Sequence, residues 1–240
     1  MTFEQLCDAY RFTRADYYMA KKNSEGIQSE DALSYALRKD VEDGTIIHIG
    51  RNQYAFSKEK RVYNHEYSDV AKEVASVIKK EFPEVDFRVF ELIQMNKFVG
   101  HQFSHNTILV YVENDVLNYV FDSLKQIYPG RTLLKPKIDD YFRYVLDNEI
   151  VVLRLPSESP KGKQELWHSC LEKILVDISI DKFLSNIISE GEYTTVFDEA
   201  FHRYFIDVKA MLRYSRRKGA DTKYRDFLKK YAPYVLEESA

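Results

Sequence analysis

Glycine and proline are scarce in this 240-residue chain, at 8 and 6 residues, which excludes collagen-like, linker-like and glycine-rich architectures. Cysteine is scarcer still: Cys7 and Cys170 stand far apart and no CxxC pair exists. That removes zinc-ribbon and thioredoxin-type motifs, and two reduced, buried thiols read as a cytoplasmic protein. No apolar run approaches the ~18 residues of a membrane span. Met1-Thr2-Phe3-Glu4-Gln5 has neither the basic start nor the apolar core of a secretion signal. Signatures of catalysis are missing too: there is no GxxxxGK[ST], no GxGxxG and no GxSxG. A nucleotidyltransferase would need a Gly-Ser pair ahead of spaced aspartates to hold two metals, and no Gly-Ser pair occurs. The expectation is a soluble protein with no cofactor and no catalytic step.

What remains is ordinary globular material, 45% hydrophobic and 30% charged, with 14% aromatics led by 18 tyrosines. The length favours two domains. Charge is unevenly placed. Between Arg203 and Lys230, ten bases face three acids, so that segment carries +7 in a chain of net charge −3, leaving −10 elsewhere. Such a segment favours polyanions or an acidic protein face.

The pattern over residues 1–61 is that of a winged helix-turn-helix. Thr2 to about Tyr10 reads as a helix, with Phe3, Leu6, Cys7 and Tyr10 at three- and four-residue spacing. Thr13 to Lys22 reads as the cap and body of a second helix. Ser29 is placed to cap a third, with Glu30 and Asp31 in its first turn and an inward stripe of Leu33, Ala36, Leu37 and Val41. Gly44 follows as a C-terminal stop. Two β runs, Thr45–Ile49 and Gln53–Phe56, are joined by Gly50-Arg51-Asn52 as a hairpin turn. The face of the third helix opposite Leu33 and Leu37 presents Ser34, Tyr35, Arg38, Lys39 and Glu42. Ser34, Tyr35, Arg38 and Lys39 are the candidates for base edges and phosphates of double-stranded DNA, with Arg51 at the hairpin tip for the backbone or minor groove. Residues 1–61 hold ten bases and ten acids, so affinity would rest on a few local contacts and on a dimer.

A second domain, 62–240, reads as α+β, with a sheet-containing part over 62–160 and a helical part over 161–240. Helices are expected over His65–Phe82, Asn114–Ile127 and Ile138–Val145, and strands over Val85–Leu92, Thr107–Val112, Arg131–Leu134 and Ile150–Leu155. That alternation gives a small mixed sheet with helices against it. Pro156–Lys163 reads as an exposed loop. Further helices are expected over Glu165–Ile178, Asp181–Ser189, Thr195–Tyr204, Asp207–Lys218 and Thr222–Tyr231. In the fourth of these, Val208, Met211, Leu212 and Ser215 share one face while Lys209, Arg213, Arg216 and Arg217 crowd a neighbouring arc. This is an amphipathic helix with a basic flank, suited to docking on an anion.

Metal and nucleophile candidates are weaker. His101 and His105 have ligand-like spacing but sit in a loop without a nearby acidic third ligand. Glu84, Asp86 and Glu91 resemble scattered nuclease carboxylates without a convincingly placed acid-x-Lys element. Trp167-His168 and Cys170, read as lying on one helix, point in different directions.

The chain resembles the AbiEi family, the antitoxin component of type IV abortive-infection toxin–antitoxin systems of bacteria. The likeness lies in the winged helix ending in Gly44-Thr45-Ile46-Ile47-His48-Ile49-Gly50-Arg51-Asn52-Gln53-Tyr54-Ala55. It continues in Leu171-Glu172-Lys173-Ile174-Leu175-Val176-Asp177, in Tyr204, and in Leu212-Arg213-Tyr214-Ser215-Arg216-Arg217. The wing departs from the family pattern, with Asn52-Gln53 where a glycine often precedes the tyrosine, and residues 87–155 offer little to match. The resemblance implies a cytoplasmic repressor that binds inverted repeats in its own operator and neutralises a co-encoded nucleotidyltransferase toxin, with or without stable contact. Lys209, Arg213, Arg216 and Arg217 would serve the second role. Two other classes stay open: a metal-dependent nucleic-acid-processing enzyme using Asp86, Glu91 or Asp115, and a non-catalytic adaptor.

Overall fold

Thr13 takes an extended backbone and its hydroxyl accepts the amide of Asp16, while the Asp16 carboxylate accepts the amide of Thr13. This reciprocal pair fixes the start of a helix. It belongs to a computed structural model that describes residue 6 and residues 11–56, 62–144 and 146–237. The chain is a mixed α+β protein that divides into two units, Met1–Tyr63 with Phe201–Asp207, and Asn64–Ala200 with Val208–Ala240. The helix expected over residues 2–10 lies, apart from Leu6, outside the described residues, as does Cys7.

In the first unit, α1 (Arg14–Glu25) ends at Gly26, whose φ of 70° is left-handed, a conformation glycine adopts without steric cost. Helix α2 (Glu30–Glu42) follows Ser29, which sits at the cap position although its hydroxyl makes no capping bond. Strands β1 (Ile46–Gly50) and β2 (Gln53–Phe56) pair antiparallel, with an irregularity between His48 and Gly50. Gly50 is therefore in the ladder opposite Gln53 rather than in the turn. Arg51-Asn52 makes the turn, Asn52 at a φ of 55°. Phe12 adds an isolated bridge to β2: its N–H and C=O both bond Tyr54, each at 2.8 Å. Leu6, Phe12, Tyr17, Ala20, Leu37 and Ile46 form the core. Tyr17 also donates to Asp40 at 2.6 Å, tying α1 to α2. Ile49 and Ala55 pack instead against Phe205, from the 201–207 strip.

The second unit is built on a four-stranded sheet, β3 (Phe87–Glu91), β4 (Thr107–Val112), β5 (Thr132–Leu134) and β6 (Glu149–Arg154), in the order β3-β4-β6-β5. Pairing of β3 with β4 is antiparallel, and β6 runs parallel to both β4 and β5. Helices α3 (Asp69–Glu81) and α4 (Leu117–Ile127) contribute Val74, Ile78, Val120 and Leu124 to one core with Val89, Val110 and Val152. Helix α3 starts at Asp69 rather than His65 because the Ser68 hydroxyl caps it by accepting from Ala71. Between β5 and β6 lies α5 (Ile138–Tyr144).

Residues 165–170 are not helical, contrary to expectation. Val89 bonds Trp167 O at 2.7 Å and accepts from Ser169 N at 3.1 Å, so this stretch lies along β3. Trp167 joins the sheet core, a tertiary preference that the apolar spacing alone does not reveal. Helix α6 (Leu171–Ile180) then begins, and all ten of its residues are buried. The helix expected over 181–189 is reduced to a 3-10 turn at Leu184–Asn186. There follow α7 (Tyr193–Arg203), α8 (Val208–Arg217), α9 (Asp221–Tyr231) and α10 (Tyr234–Glu237). The 156–163 loop is held down in its middle. Fully buried Arg88 donates to Ser159 O and Pro160 O at 3.3 and 3.1 Å while pairing with Asp86 at 2.7 Å.

Candidate nucleic-acid interface and basic arc

Helix α2 is amphipathic, so burying Leu33 and Leu37 turns its opposite side outward. On that side Tyr35 is 64% exposed, and Arg38 and Lys39 are exposed beside it. Arg51 is exposed in the hairpin turn. Ser34 differs from these. It is half-buried, its hydroxyl 2.5 Å from Tyr18 OH and 3.4 Å from Arg14 Nη2, and so it bonds α1 to α2. Arg14 is the residue that periodicity did not single out. Its guanidinium lies over the Tyr18 ring at 5.5 Å and its amide donates to Asn52 Oδ1 at 3.3 Å. One side chain and one amide thus link the start of α1, the face of α2 and the hairpin turn. Its only sequence signal is its place just after the capping Thr13. Exposed Glu30 and Asp31 in the first turn of α2 confine positive charge to that helix's later turns.

In the second unit, α8 buries Val208, Met211, Leu212, Tyr214 and Ser215. Lys209, Arg213, Arg216 and Arg217 all stay exposed. They are not equivalent. Arg217 makes a two-pronged pair with Glu158 of the 156–163 loop. Arg216 donates to Leu212 O at 3.2 Å and lies 3.7 Å from Asp221.

Beneath the arc is a group of buried charges. Asp177 sits between the ammoniums of Lys173, at 2.5 Å, and Lys218, at 2.6 Å, and accepts from Tyr214 OH at 3.1 Å. Burial alone would raise its carboxyl, but the two lysines outweigh that and hold it below the usual carboxylate range. Burial pulls Lys173 below the ordinary lysine range despite Asp177. Its ammonium also lies over the Tyr111 ring at 3.2 Å, a cation–π contact. The sequence placed Lys218 in the basic segment without indicating this partner.

Two of the carboxylates that resembled metal ligands, Asp86 and Glu91, are engaged elsewhere. Glu91, wholly buried, accepts from His65 at 3.0 Å, from the Ser68 amide at 2.9 Å and from Asn106 at 2.7 Å. Burial raises it, and these donors outweigh burial, so it stays ionised. His101 has a 99% exposed side chain near Glu192. Among the described residues, no three His, Cys, Asp or Glu side chains gather closely enough to hold a metal ion. Cys170 is a partly buried free thiol at the start of α6. No helix among the described residues is long and apolar enough to cross a membrane.

Residues 32–234 match the family described as "Family of unknown function (DUF6577)", and the chain belongs to that family. No curated protein matches it. Among solved structures, it is similar to the crystal structure of the RV2827C protein from Mycobacterium tuberculosis, at 12% identity over 92% of this chain and 76% of that one. The TM-score between the two is 0.26.

Proposed function

We propose that the first unit is a winged helix-turn-helix and that the chain is a DNA-binding repressor of the antitoxin type. The observation that carries this reading is the placement of α2. Helices α1 and α2, with the Phe12–Tyr54 pairing, support a hairpin next to a helix whose Tyr35, Arg38 and Lys39 point outward. A helix presented in this way fits the major groove, and a turn carrying Arg51 fits the adjacent backbone. Ser34, held by Tyr18 and Arg14, acts by fixing that face, and Arg14 joins the candidate phosphate contacts.

The partner is double-stranded DNA bearing inverted repeats, bound by a dimer. The resemblance to the AbiEi family supplies the second role, neutralising a nucleotidyltransferase toxin through the second unit. Exposed Lys209, Arg213 and Arg216 support it with a cationic helix face. Arg217 is tied to Glu158 and contributes less.

Replacing Arg38 and Arg51 together by alanine should weaken binding to the upstream promoter fragment at least tenfold while leaving the circular dichroism unchanged. A normal mobility shift by that variant would remove the DNA role. Changing Lys209, Arg213 and Arg216 to glutamate should abolish rescue of cells from the adjacent toxin yet keep operator binding. Unchanged rescue would take α8 out of the mechanism.

A further inference from the structure

Just beyond the carboxyl ends of the parallel strands β5 and β6, the second unit opens into a pocket of about 600 Å³. This end of an open α/β sheet is where ligands commonly bind, and the volume is in the range of small-molecule sites. Its base is apolar, with buried Leu153, Ile180 and Phe183. Its charged lining is one-sided: Lys135, Lys137, Lys182 and Lys218 against Asp181 alone. Among the described residues, Lys135, Lys137 and Lys182 have no acidic partner. Lys218 is paired with Asp177 at 2.6 Å and with Asp181 at 3.5 Å, so the uncompensated charge of the lining is that of Lys135, Lys137 and Lys182.

Lys135 is held in place by its backbone. Its N–H continues the ladder to Val152 O at 3.0 Å, yet its φ is 43°, the left-handed region that lysine seldom occupies. Such a conformation costs free energy and recurs at ligand clamps. Lys135, Lys137 and Lys182 are exposed and of one sign, and a polyanion carrying a ring system would meet both these lysines and the apolar lining. A small inorganic anion would meet the lysines but make no contact with the apolar lining at Phe183 and Leu153.

We infer that this pocket binds a nucleoside di- or triphosphate, its base against the apolar lining at Leu153, Ile180 and Phe183 and its phosphates among Lys135, Lys137 and Lys182. The site lies wholly within the second unit and does not depend on the DNA reading of the first.

The test is titration calorimetry of the full chain with ATP, GTP, pyrophosphate and adenosine at about 0.1 M salt. Either nucleotide should bind at least tenfold more tightly than pyrophosphate or adenosine. The triple variant Lys135→Asn, Lys137→Ala, Lys182→Ala should weaken that binding at least tenfold, asparagine being chosen because it tolerates the left-handed backbone. Removing three exposed lysines that do not line the pocket, Lys72, Lys80 and Lys125, should leave affinity within twofold. No nucleotide binding at millimolar concentration overturns the assignment, as does equal loss in the two triple variants. Pyrophosphate binding as tightly as ATP overturns the role given to the apolar lining.

Discussion

Asp177 holds together a buried group of charges in the second unit. It compensates two lysines, one of them 1% exposed, and accepts from Tyr214. Removing one member of a buried ion cluster strands the others, a loss of about 3–5 kcal/mol. Asp177→Asn should therefore lower stability by at least about 3 kcal/mol in urea unfolding, and a loss under ~1 kcal/mol would mean that water reaches these lysines. Because the folded carboxyl lies below its ordinary value, this contribution is full above the unfolded pKa and disappears as pH falls through the folded one. Glu149 works the other way. It is 1% exposed, its Oε2 has no partner among the described residues, and burial pushes it up to about 7. The folded state then holds a proton that the unfolded chain releases near 4.5. Stability from this group should fall as pH rises from about 4.5 through about 7, by ~1.4 kcal/mol for each pH interval of one across that range. Glu149→Gln should flatten that slope in unfolding measured at pH 5, 6, 7 and 8, and an unchanged slope would place its origin elsewhere.

At the scale of elements, the two helices of the first unit start differently. Thr13 and Asp16 cap each other's ends of the first turn, whereas Ser29 occupies the cap position without the bond. Thr13→Ala should cost about 1 kcal/mol and Ser29→Ala less than ~0.5 kcal/mol, both read from denaturant midpoints. Equal costs would show that cap position alone, rather than the hydroxyl bond, stabilises these helices. Apolar periodicity makes α2, α3, α4 and α8 legible in the sequence, although α3 and α4 begin at Asp69 and Leu117 rather than at His65 and Asn114. Residues 165–170 are not legible in that way. Their course, a turn at Glu165–His168 followed by a bridge to β3, is fixed by hydrogen bonds to Val89, nearly eighty positions away. The candidate interface divides similarly. Tyr35, Arg38 and Lys39 follow from helical spacing, while the Ser34–Tyr18–Arg14 set needs α1 and α2 to have packed.

For the whole molecule, the chain does not divide cleanly along its length. Phe205 returns from the C-terminal part to cover Ile49 and Ala55 of the hairpin, a pairing that no reading of local pattern reveals. Truncating a buried phenylalanine costs about 3–5 kcal/mol. Phe205→Ala should therefore speed amide exchange at Ile49 and Ala55 by at least tenfold, and a fragment of residues 1–63 should exchange faster than the same residues in the full chain. Equal protection would mean that the strip is dispensable. Charge also acts at this scale. The C-terminal segment is strongly basic by count, but Lys218 pairs with buried Asp177 and Arg217 with exposed Glu158. The cationic surface is therefore smaller than the net +7 of the segment implies, and residues such as Lys209 and Arg213 carry it.

The proposed repressor role requires the outward face of α2 and the Arg51–Asn52 turn to meet duplex DNA. Amide hydrogen exchange of the full chain, with and without its own upstream duplex, tests this most directly. Slowed exchange should concentrate over Tyr35–Lys39 and Arg51–Asn52. If the duplex binds but slows exchange only over α8, or leaves α2 and the hairpin turn unchanged, the first unit does not read DNA.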